Sequence, residues 1–134
     1  MYRSVILAIF CSLLLSFNVS SNPFKGTWQL VSGEYIDHQG DLIKYQELNL
    51  SSIKVLSEDH FSFVTMTGDK FWSAGTGSYD YTEEVYVESP IYTSYNVPKG
   101  GKYRFDYQLK DDKWYNSRWE EGIRVEYEVW QKID

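Results

Sequence analysis

Cysteine is nearly absent. The single residue, Cys11, lies in an apolar segment at the start of the chain, so residues 22–134 cannot form an internal disulfide. Histidine is scarce as well. His38 and His60 stand far apart with no cysteine between them, which offers no metal-ligand spacing. No Gly-x-Ser-x-Gly elbow places a nucleophile. Gly75-Thr76-Gly77 precedes a strand rather than a helix, so it is no phosphate loop. No segment keeps a 3.6-residue apolar period beyond two turns, and the chain reads as strands instead. Basic charge is also short. Lys and Arg number 13 against 19 Asp and Glu, a net charge of −6. An acidic surface argues against nucleic acid and anionic membrane surfaces as partners.

Residues 1–21 carry the features of a secretory signal peptide. Arg3 is the only charge, residues 5–15 are almost wholly apolar, and Val19-Ser20-Ser21 offers small residues for cleavage before Asn22. The apolar run is short for a membrane span, and an uncleaved anchor is the rival reading. Cys11 follows Ala8-Ile9-Phe10, where lipidation would require a small residue. Cleavage leaves residues 22–134 as one domain, secreted or periplasmic, with no integral membrane span. Export without disulfides is common among bacterial periplasmic proteins. Asn49-Leu50-Ser51 is a glycosylation sequon, meaningful only in a eukaryotic secretory pathway. The 5 Trp, 12 Tyr and 7 Phe are too many for a disordered chain and suit strands around an aromatic interior.

The first strand starts near Gly26 and runs to Ile36, with its alternation slipping at Ser32-Gly33, as expected where a long strand bends. Residues 37–41 form a turn, and residues 42–50 read equally as a short helix or a strand. Strands follow at 53–56, 60–66 and 70–74, and Gly75-Thr76-Gly77 is expected to bend the chain. Residues 79–88 alternate, with Tyr79, Tyr81, Val85 and Val87 on one face. Residues 89–101 are the longest connection, the expected lid over an open end. Three strands close the chain. One has Tyr103, Phe105, Tyr107 and Leu109 on a common face, one covers 114–119, and the last is expected to turn Ile123, Val125, Tyr127 and Val129 inward. Asp111-Asp112 and Glu120-Glu121-Gly122 are the turns between them. The class is all-β, an up-and-down antiparallel barrel of eight or nine short strands, with a β-sandwich as runner-up.

Phe24-Lys25-Gly26-Thr27-Trp28 resembles the F-x-G-x-W opening of calycin barrels, the group of lipocalins and fatty-acid-binding proteins. Gly permits a tight turn at the base, and Trp28 is expected to plug the closed end. The chain also resembles lipocalin-like families of small secreted bacterial proteins of unknown function. The resemblance runs through residues 26–33, 54–57, 60–64, 71–75 leading to Tyr79, 81–83, and the closing 126–130. It implies an eight-stranded lipocalin-like barrel. The chain departs from typical lipocalins: it has no mid-chain Thr-Asp-Tyr turn, no disulfide and no C-terminal helix, so no binding residues carry over. The cation that would brace Trp28 is either Arg124 or Lys132.

Glu83 stands out because it falls on the apolar face of the 79–88 strand, between Tyr81 and Val85. A carboxylate pointing into a barrel must find a donor or take up a proton. It is therefore a ligand anchor, a general acid/base, or a structural carboxylate turned to an internal Tyr or Arg. His60 lines the barrel mouth or caps a turn. Arg118 shares a face with Trp114 and Asn116, opposite Tyr115 and Trp119, and either face could be internal. If internal, Arg118 could pair with Glu83 or with an acidic ligand group. Trp72, Phe63, Tyr81 and Tyr107, with Trp28, Phe61, Tyr103 and Phe105, form an aromatic pocket or simply core.

Three functions fit. The first is a binding module for a small, largely apolar molecule, with Glu83 and Arg118 or His60 fixing its polar end. The second is an enzyme on the same barrel with Glu83 as acid/base, and the third a filled barrel acting through protein contacts. No metal or cofactor is implied.

Overall fold

The computed structural model describes residue 16 and residues 21–134. The expected signal peptide falls almost wholly outside the described residues. Nine strands follow in chain order: β1 Gly26–Ile36, β2 Leu42–Lys44, β3 Leu50–Leu56, β4 His60–Thr67, β5 Lys70–Tyr81, β6 Val85–Thr93, β7 Tyr103–Lys110, β8 Lys113–Glu120 and β9 Ile123–Lys132. A single 3₁₀ turn, Tyr45–Leu48, separates β2 from β3, so residues 42–50 contain both a strand and a helical turn.

All pairings are antiparallel. The order runs β1-β3-β4-β5-β6-β7-β8-β9 and closes by pairing β9 back onto β1, while β2 flanks only the far end of β1. Closure makes the molecule an up-and-down barrel of eight main strands and excludes the sandwich. β1 closes it by bending. Its first half pairs with β3 and its longer course with β9, with Val31 as the extra residue of a bulge between Leu30 and Ser32. At Asp111 and Asp112, and again at Glu121 and Gly122, both central residues have positive φ, the geometry that matches strand twist in a two-residue hairpin.

Gly75 and Gly77 are not a turn. They lie within β5, and a Cβ on Gly75 would sit 2.8 Å from the Phe63 ring, one on Gly77 2.2 Å from the Ser89 carbonyl. The chain instead turns at residues 82–84, splitting the expected 79–88 strand into β5 and β6. The Thr82 hydroxyl accepts the backbone N–H groups of Glu84 and Val85 there. β6 then runs on to Thr93, so the long connection is 94–102 rather than 89–101.

One end of the barrel is filled. Phe24 is fully buried among the rings of Tyr79, Tyr81, Tyr86, Tyr107 and Trp114, at centroid distances of 4.8 to 6.4 Å. Trp28 is buried beside it, donates its indole N–H to the Phe24 carbonyl at 2.9 Å and meets Trp114 edge to face. The cation over Trp28 is Lys132, 5.7 Å from its ring; Arg124 lies over Tyr127 and pairs with Glu34. Trp28 is thus the plug that the F-x-G-x-W opening announces.

Candidate functional site

The opposite end holds a cavity of about 440 Å³, within the range of small-molecule sites, roughly 300–1,000 Å³. Its wall includes Leu30, Phe63, Trp72, Tyr45, Tyr95 and Tyr103, and its floor carries ionisable groups: Lys54, Glu88, Arg118, Glu126 and Glu128. β6 pairs with β7 only through residues 85–88, so at this end the 94–102 loop flanks the opening and Tyr95 lines it.

Strand parity aims the floor groups inward. On β3 the inward set is Leu50, Ser52, Lys54 and Leu56, while Ile53 and Val55 are exposed outside. Lys54 is 4 % exposed. Its Nζ reaches Glu88 Oε1 on β6 at 2.7 Å, and the same oxygen accepts the Tyr86 hydroxyl at 2.9 Å. Four rings surround the ammonium, with Trp130 at 4.9 Å, Trp114 at 5.3 Å, Phe63 at 5.7 Å and Phe61 at 6.0 Å. Burial alone would lower the Lys54 pKa, but Glu88 and Glu128 outweigh it and the pKa is raised, so the side chain stays charged.

On β9 the sequence reading holds for Val125, which lines the cavity, and inverts beyond it. Val125 is the extra residue of a bulge opposite Arg118 and Trp119, and past it Glu126, Glu128 and Trp130 face the interior. Tyr127 and Val129, expected inside, take the other face, and Ile123 is exposed. On β8 the fully buried Trp114 and Asn116 settle the face of Arg118, which points in. Arg118 donates to Glu126 at 2.9 Å and to Glu120 at 2.7 Å, not to Glu83.

Glu128 is different. It is 8 % exposed, and among the described residues no cation pairs with it. Burial, then the neighbouring Glu126, push its pKa well above the ordinary carboxylate range, and in its protonated form it hydrogen-bonds Glu126. Burial and these same carboxylates also raise the pKa of the Tyr45 phenol. Directly across from Glu128 is Asn116, whose amide finds no partner among the described residues; nor do the indole N–H groups of Trp114 and Trp130. The interior is therefore polar and incompletely satisfied at its centre.

Of the residues singled out in the sequence, Phe63, Trp72, Tyr103 and Arg118 come together at the cavity. Glu83, His60, Tyr81 and Tyr107 do not. Glu83 is exposed in the 82–84 turn at the filled end, because the strand expected to carry it inward breaks there. His60 follows the β3–β4 turn at the same end, its ring Nδ1 2.7 Å from Asp59 Oδ1. Tyr81 and Tyr107 pack on Phe24. The sequence reading missed Lys54, Glu88, Glu126 and Glu128. The available signal was the run of polar residues at alternate positions, Ser52 with Lys54 and Glu126 with Glu128, on strands whose other face is apolar.

Among the described residues no His, Asp or Glu side chains converge to hold a metal, and no helix is long and apolar enough to cross a membrane. No protein-family model matches the chain, and no curated protein shows significant similarity to it.

Proposed function

We propose that the protein is an exported lipocalin-like barrel that binds one small amphipathic molecule at its open end. The cavity carries this reading: an aromatic wall above a floor of fixed charges. Apolar parts of a ligand would lie along Leu30, Phe63 and Trp72, and its polar end would meet the floor near Arg118 and Glu128. Trp72, 46 % exposed at the rim, is placed to report occupancy through its fluorescence. Catalysis through Glu83 draws no support from an exposed turn at the far end.

Native mass spectrometry of protein purified from its own source tests the reading. A bound small molecule is expected, on a chain whose mass shows loss of residues 1–21. A ligand-free protein that also fails to bind an apolar dye would remove the binding reading, and a retained leader would remove the export reading.

A further inference from the structure

Resting on that reading, we propose that the ligand is an organic cation, an amine held by Glu128 as its counter-ion.

The argument begins with a charge count. Among the described residues the cavity is lined by three carboxylates, Glu88, Glu126 and Glu128, and two cations, Lys54 and Arg118. Both cations are committed, Lys54 to Glu88 and Arg118 to Glu126 and Glu120. An anionic ligand would have to break one of these pairs and then sit among the remaining carboxylates. A cationic ligand leaves both ion pairs intact and replaces only the proton that Glu128 shares with Glu126. It takes the one lining carboxylate that has no cation.

The wall suits the same charge. Cavity-lining rings already lie around the protein's own cations: Trp130 and Phe63 around Lys54, and Tyr103 5.4 Å from the Arg118 guanidinium carbon. A ligand ammonium at Glu128 would enter the same kind of environment, where desolvated cation–π contacts add to a charge-assisted hydrogen bond.

Protons balance simply. Below its raised pKa and with the cavity empty, Glu128 holds its proton. An ammonium, R–NH₃⁺, docks against it, the carboxyl proton passes to solvent, and an ammonium–carboxylate pair remains. No covalent bond changes. The charged and titratable groups facing Glu128 are Lys54 from β3, Tyr45 from the 3₁₀ turn, Tyr86 and Glu88 from β6, Tyr95 from the loop, Arg118 from β8 and Glu126 from β9. The cations among them keep their own partners, so the displaced proton traces to Glu128.

Calorimetry with 2-phenylethylamine, 2-phenylethanol and 3-phenylpropanoate, matched in ring and chain, tests the proposal. The amine is expected to bind roughly ten-fold or more tightly than the alcohol, with the acid weakest. Comparing buffers of different ionisation enthalpy at mildly acidic pH, below the raised Glu128 pKa, should show proton release when the amine binds. Glu128→Gln should remove the preference for the amine over the alcohol. Should that variant not fold, proton release by the wild-type protein decides alone. The proposal is overturned if the acid binds as tightly as the amine, if Glu128→Gln keeps the amine preference, or if no proton is released. If neither the probes nor an apolar dye enters, the binding reading falls as well. If the dye or the alcohol enters and the amine has no advantage, only the amine proposal falls.

Discussion

Burying the Lys54 ammonium at 4 % exposure carries a desolvation cost of several kcal/mol. The Glu88 carboxylate at 2.7 Å and four aromatic rings within 6.0 Å offset it. Removing one partner strands the other, so Lys54→Met should lower stability in urea by about 3–5 kcal/mol. Adding Glu88→Gln neutralises the stranded charge while keeping an acceptor for Tyr86, and should recover most of that loss. Glu128 makes the opposite kind of demand. Burial raises its pKa in the folded state above the unfolded value, so the folded protein binds the extra proton. Stability from this group is complete below the unfolded carboxylate pKa and is lost as pH rises through the folded one. Urea melts taken from acid to neutral pH should show that decline in the wild-type protein. Glu128→Gln, which is uncharged throughout, should flatten it; an unchanged slope would place the proton elsewhere.

At the scale of elements, the readable features were those written in local chemistry. The Asp111-Asp112 and Glu121-Gly122 turns, the slip in β1 and the plugging role of Trp28 were all legible, because each depends on backbone geometry or one large side chain. Strand faces were legible on β7, where Tyr103, Phe105, Tyr107 and Leu109 all pack toward the core, but not on β6 or β9. An apolar residue does not by itself mark the inward face: Ile53 pairs with Val64 across the outer surface of β3 and β4 while Lys54 turns in. β-Branched residues favour the strand backbone on either face. They mark the interior only when the interior is apolar. The bulge at Val125 hid Glu126 and Glu128 in the same way, since one extra residue exchanges the faces. The split of β5 from β6 depends on Thr82 capping its own turn, a signal drowned by the alternation on either side. Gly33 shows what bending β1 permits. A Cβ there would fall 2.2 Å from the Tyr45 ring, so Gly33→Ala should push Tyr45 off the strand and destabilise the protein by about 1–3 kcal/mol. Because Tyr45 lines the cavity, the same variant should change probe affinity, whereas Gly40→Ala, with open space around it, should not.

At the scale of the molecule, the two ends divide the work. One is packed solid around Phe24 and Trp28, and the other is hollow and charged. The barrel itself was legible because strand lengths and turn spacing leave few alternatives. The hollow was not, because it comes from residues brought together from β3, β6, β8 and β9. The packed end also imposes an order in time. Most strands pair with a sequence neighbour through a short hairpin, contacts that form early and cheaply. Phe24 is among the first described residues, yet it must wait for Tyr107 and Trp114 to arrive from the other end of the chain. Sealing the base is then expected to be the closing event, after the rate-limiting barrier. Phe24→Leu should cost about 1–2 kcal/mol, and in stopped-flow experiments nearly all of it should appear as faster unfolding, with the folding rate little changed. Slower folding would place the seal in the nucleus instead. A barrel that seals its base last stays open longest at the end that Phe24 closes.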